Sequence, residues 1–358
     1  MAQEIELKLR LSTEDIPLLS RWLDDAATFT GLNTLKNDYY DTPGLDLSAA
    51  HSALRIRSTE GGFEQTLKAR SQSQNAVQVR HEWNWPLTER SLDRTLLALP
   101  DVAGHWPAGV PVEQLHLVFS TDFERRSWLL VFEAEGQPSE IEVVIDRGDI
   151  RAGELSAPLC EVELELKNGD ALMLWPVLEQ MQSLVPLWLS DVSKAERGYR
   201  LAGVPPQHYH GEPVRKDGSG LAEQIFDLQR ALERLVWEPP VTRSVIEDVW
   251  RTGFPLLCLL SEITNDISAA EPACEALSYL LSMDYGNAAG EIRADKSAAR
   301  SLTLASQQLA EMWHRSQPDF ARLSLRWSEA RSQVNDVIEC STDNTLFSSL
   351  TDLLRQVS

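Results

Sequence analysis

Cysteine is scarce in this chain: four residues in 358 (Cys160, Cys258, Cys274, Cys340), with no Cys-x-x-Cys pair. That excludes a disulfide-framed secreted scaffold and points to a reduced, cytoplasmic protein with buried thiols. Neither phosphate-cradling signature occurs, Gly-x-x-x-x-Gly-Lys-Ser/Thr or Gly-x-Gly-x-x-Gly, so P-loop and dinucleotide-binding chemistry are not indicated. No apolar run approaches the ~20 residues that span a bilayer. The opening Met1-Ala2-Gln3-Glu4 has neither the basic region nor the apolar core of a signal peptide. Positive charge is the scarcer sign: 33 Lys+Arg against 54 Asp+Glu leave a net charge of −21. Nucleic acid and anionic membrane are therefore not expected as the main partner. There is no fixed-period repeat and no low-complexity tract.

What is present is an ordinary globular composition, 43% hydrophobic and 24% charged, in a chain long enough for two domains. Its most informative segments alternate charged with apolar residues: Glu4-Ile5-Glu6-Leu7-Lys8, and later Glu161-Val162-Glu163-Leu164-Glu165-Leu166-Lys167. Successive strand side chains point to opposite faces, so Glu4, Glu6 and Lys8 share one face, as do Glu161, Glu163 and Glu165. Leu54-Arg55-Ile56-Arg57 and Gln65-Thr66-Leu67-Lys68 alternate in the same way. The segment from Val79 to Trp85 puts Arg80, Glu82 and Asn84 on one face and Trp83 and Trp85 on the other. Trp83, Trp85 and Trp128 are assigned to packing rather than to a base-stacking platform. The stretch Ile141-Glu142-Val143-Val144-Ile145-Asp146 reads as a strand that runs into a turn at Arg147-Gly148-Asp149. Asp41-Thr42-Pro43-Gly44 marks a turn and Gly61-Gly62 a hairpin.

Helical spacing occurs near residues 16–23 and 172–184. Residues 204–220 lose periodicity and gain proline and glycine, which marks a linker. From Leu221 the period is helical, with Ile225, Leu228, Leu232 and Leu235 on one face and Pro239-Pro240 ending the helix. Further helices are expected near 245–263, 274–281, 294–314, 320–337 and 346–354. The organisation expected is thus 1–203 rich in strands, a linker at 204–220, and an all-α domain at 221–358.

If the strands of the first domain close on one another, their charged faces meet inside a barrel with room for one small ligand. The inward set is then Glu4, Glu6, Glu82, Glu161, Glu163 and Glu165 against Lys8, Arg55, Arg57, Lys68 and Arg80. Such an interior is costly unless something highly charged fills it. A polyanion bridged by divalent cations satisfies both signs: basic groups take phosphoryl oxygens and carboxylates take the metal. The other arrangement faces these charges to water around an ordinary apolar core, and alternation alone does not choose between them.

The ordered set Glu4-x-Glu6-x-Lys8, Asn37-x-Tyr39-Tyr40-x-Thr42-Pro43, Leu54-Arg55-Ile56-Arg57, Thr66-x-Lys68, Arg80-x-Glu82, Thr121-Asp122-Phe123-x-Arg125, Asp146-x-Gly148, Glu161-Val162-Glu163-Leu164-Glu165 and Ser193-Lys194-Ala195-Glu196-Arg197-Gly198-Tyr199 resembles the CYTH superfamily, the triphosphate tunnel metalloenzymes. Within it the chain is most similar to bacterial inorganic triphosphatases that carry a C-terminal CHAD domain. The resemblance covers roughly residues 1–200. It implies an α+β protein: an eight-stranded antiparallel β-tunnel followed by an all-α bundle. It further implies phosphate binding by Lys8, Arg55, Arg57, Lys68, Arg80, Arg125 and Lys194. Mg²⁺ or Mn²⁺ would be held by Glu4, Glu6, Glu163 and Glu165, with Asp146 and Glu161 as further ligands or supporting groups. Glu4, Glu6, Lys8, Glu163 and Glu165 form the expected catalytic set, and Glu82 fixes a neighbouring arginine. Lys36, Arg10 and Arg70 receive no role, and His208-x-His210 is not read as a metal site because no further ligand lies nearby.

The activity implied is hydrolysis of inorganic triphosphate by an in-line water, without a covalent intermediate. Class IV adenylyl cyclase or organic triphosphatase activity and a non-catalytic polyphosphate-binding module are the alternatives. A CHAD domain is expected to be basic and rich in His and Arg. Residues 218–358 instead hold 12 Lys+Arg against 20 Asp+Glu, with one histidine, His314. A shortened, acidic, degenerate CHAD-like domain that packs or self-associates is therefore expected.

Overall fold

The structure, a computed structural model, describes residues 5–59, 61–70, 80–134, 137–190, 192–204, 215, 220–237, 243–264, 275, 297, 299–301, 303–304 and 320–340. The chain divides into two compact units. The first holds Met1–Glu6, Leu23–Gly169 and Val192–Gln207; the second holds Leu7–Trp22, Asp170–Asp191 and His208–Ser358. Two segments that precede the expected boundary at residue 203 thus lie with the C-terminal helices.

The first unit is built on β2 (Thr28–Asp41), β3 (Ala53–Thr59), β4 (Gly62–Arg70), β5 (Arg80–Leu87), β6 (His116–Ala134), β7 (Gln137–Ala152) and β8 (Leu155–Asn168), in the order β5-β4-β3-β2-β6-β7-β8. Neighbouring strands in this series are antiparallel. The Leu166 N–H also donates to the Ile5 carbonyl at 2.9 Å, which ties the N-terminal segment to the edge of β8. Register sets what shares a face. One row crosses the strands as Asn84, Thr66, Arg55, Tyr39 and Phe119; another runs Glu64, Arg57, Asn37 and Thr121. A third runs Asn33, Arg125, Asp146 and Glu161. The alternating charges therefore do fall on one continuous sheet face.

On the opposite face, Leu54, Ile56 and Leu67 are fully buried. Leu47, Leu97, Val102 and Leu115 join Leu54 and Leu67 in one core, with Trp83 and Trp85 partly buried against it. Leu47 comes from α2 (Asp46–Ala49), Leu97 from the 3-10 turn Arg94–Ala98, Val102 from α3 (Pro100–Ala103) and Leu115 from the chain between α3 and β6. Each fully buried leucine contributes about 1.5–3 kcal/mol. Trp128 is also fully buried and donates its indole N–H to Asp24 at 2.9 Å, so the tryptophans serve packing as expected. The turn at Asp41-Thr42-Pro43-Gly44 is held by the Asp41 carboxylate, which accepts the N–H groups of Thr42, Leu47 and Ser48 at 2.7–2.9 Å.

One sequence expectation is corrected here. Residues 147–149 do not turn: β7 runs straight through them to Ala152. Gly148 is needed for space, because a Cβ there would lie 2.1 Å from the Asp122 carbonyl oxygen and 2.5 Å from Phe123 Cα on β6. The glycine marks close strand approach rather than a change of direction.

In the second unit β1 (Glu6–Arg10), which begins at the unit boundary, pairs with β9 (Trp188–Leu189) through Leu9–Leu189 and Arg10–Trp188. Nine strands are present among the described residues, the two-residue β9 being one more than expected. The helices are α1 (Ile16–Ala26), which also crosses the boundary, α4 (Leu174–Leu184), α6 (Leu221–Trp237), α7 (Arg243–Thr264) and α8 (Phe320–Cys340); α5 (Lys194–Leu201) belongs to the first unit. The apolar stripe of α6 is buried as its spacing requires, at Ile225, Leu228, Leu232 and Leu235. Val249, Trp250 and Phe254 of α7 and Ala330 and Val334 of α8 are buried in the same unit. Arg10 is also interior: it pairs with Glu233 at 3.0 Å and lies 4.4 Å from the Trp237 ring centroid. The helix expected at 346–354, that at 274–281 save residue 275, His314, and most of the linker lie outside the described residues. Within 294–314, residues 297, 299–301, 303 and 304 are helical.

Candidate active site

Three antiparallel strands place one acidic cluster. Alternation in β8 puts Glu161 and Glu163 on the charged face, and Asp146 of β7 stands opposite Glu161. Arg125 of β6 stands opposite Asp146 and grips it with two hydrogen bonds of 2.7 Å, adding a third to Glu163 at 2.8 Å. One carboxylate oxygen from each of Asp146, Glu161 and Glu163 falls within 4.8 Å of the others. Asp146 and Glu161 are almost wholly shielded from solvent, at 0% and 1% exposure.

The N-terminus of α5 delivers a cation into this group. Ser193 has extended backbone geometry and its hydroxyl accepts the Glu196 N–H at 3.1 Å, capping the helix so that Lys194 is its first residue. Gly198 lets α5 sit close on β6: a Cβ there would lie 2.0 Å from the Phe119 ring. Lys194 Nζ then meets Asp146 at 2.7 Å, Glu163 at 3.1 Å and Glu161. Burial works to lower the Lys194 pKa, but the three carboxylates outweigh it and hold the ammonium well above the ordinary lysine range. Arg125 is raised in the same way by Asp146 and Glu163 against its own burial.

Below this cluster the same face turns apolar. Leu35, Tyr39, Phe119, Phe123, Ile150, Leu159 and Tyr199 form a buried core, with Tyr39 stacked on Phe119 at 4.5 Å and Tyr199 edge-on to it at 4.9 Å.

The arginines of β3 sit differently. Arg57 donates through Nε to the Asn37 amide oxygen at 2.9 Å, and Asn37 in turn donates to Thr121 at 3.0 Å. Arg55 Nε is buried with no hydrogen-bond partner. Burial, then the charge of Arg55, hold Arg57 below the ordinary arginine value, with Arg125 adding to them and Tyr39 and Glu64 opposing. These are like charges collected on one polar face, an arrangement that an anion relieves. Lys68 pairs with Glu82 at 2.7 Å, and Asn84 donates to Glu82 at 3.1 Å. Burial pushes the Glu82 carboxyl up, but the Lys68 and Asn84 hydrogen bonds and the Lys68 charge hold it lower than usual. Glu82 is thus fixed to a lysine, where the sequence suggested an arginine.

Of the expected site residues, Asp146, Glu161, Glu163, Arg125 and Lys194 are brought together; Arg55 and Arg57 share their face. Glu165 is not in the trio: its partner is Lys167 at 2.7 Å, which also takes Glu142 at 2.8 Å. Glu6 is exposed and Lys8 half-buried, alternating in β1. Glu4 lies outside the described residues, and Arg80 is described only as the first residue of β5. Sequence reasoning gave no role to Arg197, 3.4 Å from Glu161, although it lies one helical turn beyond Lys194; that spacing was the available signal.

A sheet with buried carboxylates and a bank of arginines on one face is the setting in which the family comes into view, and the chain belongs to it: the CYTH domain matches residues 2–199. Among its relatives is the inorganic triphosphatase of Haemophilus influenzae, 37% identical over 206 residues, covering 56% of this chain. The chain spans 55% of that relative's length. Solved structures that resemble it include a Hippeastrum protein described as having a dominant triphosphatase activity, at 21% identity and a TM-score of 0.41, covering 58% of this chain and all of that one. A Pyrococcus horikoshii protein matches at 16% identity and a TM-score of 0.35, covering 55% of this chain and 98% of that one.

Proposed function

We propose that this protein hydrolyses inorganic triphosphate to pyrophosphate and phosphate with a divalent cation. The observation that carries the reading is the meeting of Asp146, Glu161 and Glu163 with Arg125 on the same sheet face as Arg55 and Arg57. Membership of the CYTH family and the 37% identity to an inorganic triphosphatase support it.

The donor set fits a hard cation: it consists of carboxylate oxygens only, and the Lys194 ammonium already occupies their midst as a monovalent stand-in. Mg²⁺ or Mn²⁺ is the proposed ion, with Asp146, Glu161 and Glu163 holding it and Glu4, Glu6 and Glu165 proposed as additional carboxylates. A bound dication supplies charge neutralisation of the phosphoryl oxygens and a Lewis-acid contact to them.

Arg55, Arg57, Arg125, Lys8, Lys68, Arg80 and Lys194 bind the phosphate chain, each through charge-assisted hydrogen bonds. So bound, the terminal phosphorus is oriented for in-line attack by water. The new P–O bond forms as the anhydride bond breaks, and the water's protons pass to carboxylate and solvent. No serine or cysteine is needed as a nucleophile, so catalysis is positioning plus electrostatic stabilisation. A cytoplasmic location is proposed on the reduced cysteine set; among the described residues no helix is long and apolar enough to cross a membrane. The C-terminal helices are proposed as a reduced, acidic CHAD-like domain whose role is packing or self-association.

Phosphate release from inorganic triphosphate, with ATP and pyrophosphate in parallel, under Mg²⁺, Mn²⁺ or EDTA, tests the reading. Metal-dependent turnover selective for triphosphate is expected. Turnover of ATP alone would move the protein to a nucleotide enzyme, and binding without turnover under every metal would make it a polyphosphate-binding module.

A further inference from the structure

Glu161 uses its two oxygens for two different partners. Oε1 receives the Lys194 ammonium, inside the trio; Oε2 faces Arg197 Nη1 at 3.4 Å. Arg197 is 8% exposed and Glu161 1%, so both charges are interior. Neither Nη1 nor Nη2 of Arg197 has a hydrogen-bond partner, and nor does Glu161 Oε2. A guanidinium shut away from water is costly unless an acid answers it, and Glu161 is the acid within ion-pair distance. A surface arginine on α5 would extend into solvent. Arg197 does not: it sits in the buried part of α5 with Gly198 and Tyr199, where the close Gly198–Phe119 approach presses the helix on β6.

We infer that Arg197 is a positioning residue: it holds the outer oxygen of Glu161 so that the inner oxygen is presented, charged and in one rotamer, to the cation in the trio. The inference rests on the proposed metal role of Asp146, Glu161 and Glu163. Groups that orient a metal-binding side chain act through the ligand's geometry, and their loss typically costs about 10–100-fold in metal affinity. Arg197 therefore acts on metal binding, and on triphosphate only through the metal.

The test is Mn²⁺ affinity of the full chain, read from the free-ion EPR signal, with kcat and KM for triphosphate at saturating Mn²⁺. The proteins are wild type, Arg197→Met, Arg197→Lys, Glu161→Gln and the Glu161→Gln/Arg197→Met pair. We expect Arg197→Met to weaken Mn²⁺ by about 10–100-fold with KM for triphosphate unchanged at saturating metal. Arg197→Lys should recover part of the loss, and the double variant should bind Mn²⁺ no more weakly than Glu161→Gln alone. Wild-type Mn²⁺ affinity in Arg197→Met, a raised KM in its place, or additive losses in the double variant would overturn the inference while leaving the metal site standing. A wild type that does not bind Mn²⁺ would overturn the metal assignment and the inference with it. Should Arg197→Met fail to fold, Arg197→Lys decides alone: Mn²⁺ affinity below wild type but above that of Glu161→Gln, with KM unchanged, supports the inference, while wild-type affinity, with or without a raised KM, overturns it.

Discussion

On β7 and β8 each carboxylate of the trio already has a cation beside it, whereas on β3 the cations lack acids of equal standing. Asp146, Glu161 and Glu163 are answered by Lys194, Arg125 and Arg197. Arg57 instead donates to a neutral amide, and Arg55 leaves a buried Nε unpaired. The two regions lie on one sheet face, yet one is internally neutralised and the other is not. If the trio holds a metal and the arginines a polyanion, as proposed, the difference teaches that the protein carries its own substitute for the first but none for the second. The acidic side can stay folded and buried without its ion, because buried charge is tolerated when paired. The basic side keeps its mutual repulsion available to favour an incoming anion.

The largest expected effect comes from removing one acidic partner. Glu163→Gln should lower kcat for triphosphate by roughly 10²–10³-fold, about 2.7–4 kcal/mol, with a smaller change in KM, because the lost charge serves the reacting phosphoryl group. Steady-state kinetics at saturating Mn²⁺ check this, and near-normal kcat in Glu163→Gln would remove the trio from the chemistry. On the basic side, Arg57→Met should cost roughly 1.5–3 kcal/mol in kcat/KM, the worth of one charge-assisted contact to phosphate. An unchanged kcat/KM would mean that the arginine bank is structural.

A third variant inverts the comparison. Lys194→Met takes the resident ammonium out of the trio, so Mn²⁺ affinity without triphosphate should rise about tenfold, or ~1.4 kcal/mol, while phosphate release falls. EPR titration reads the first and kinetics the second; weaker Mn²⁺ binding would show that Lys194 organises the carboxylates rather than occupying their ion site.

The smallest effect belongs to the Lys68–Glu82 pair. The folded Glu82 carboxyl titrates below its unfolded value, so its stabilisation is present above about pH 4.3 and is lost as pH falls through the lower folded pKa. Both side chains are about a third exposed, which limits the pair to about 1 kcal/mol or less. Glu82→Gln should therefore lower Tm slightly at pH 7, with the gap closing as pH falls through the lowered folded pKa; a gap that persisted in acid would point to packing.

Much of this site was legible along the chain. Strict period-2 alternation put Arg55 and Arg57 on one side of their strand and Glu161 and Glu163 on one side of theirs, and strands cannot present them otherwise. Other features were not legible, because they depend on which strands meet. Gly148 read as a turn until β6 was seen to pass within 2.1 Å of where its Cβ would be. Glu165 shares the alternation of Glu161 and Glu163, yet the register sets it opposite Glu142, where Lys167 takes it. Arg197 received no role: its spacing from Lys194 was a signal, but nothing in the sequence announces that α5 lies flush on the sheet.

The sequence by itself determined the strand periods, the helical C-terminal half, the side-chain chemistry available for phosphate and metal, and the family. Only the tertiary structure decided which carboxylates converge, that Lys194 sits among them, and that Arg197 stands behind Glu161. Alternation is a local property of the backbone, fixed by where successive Cβ atoms point. Convergence is set by cross-strand register and by the close approach of a helix to a sheet, and these join residues more than thirty positions apart, from Arg125 to Glu163 and from Glu161 to Lys194.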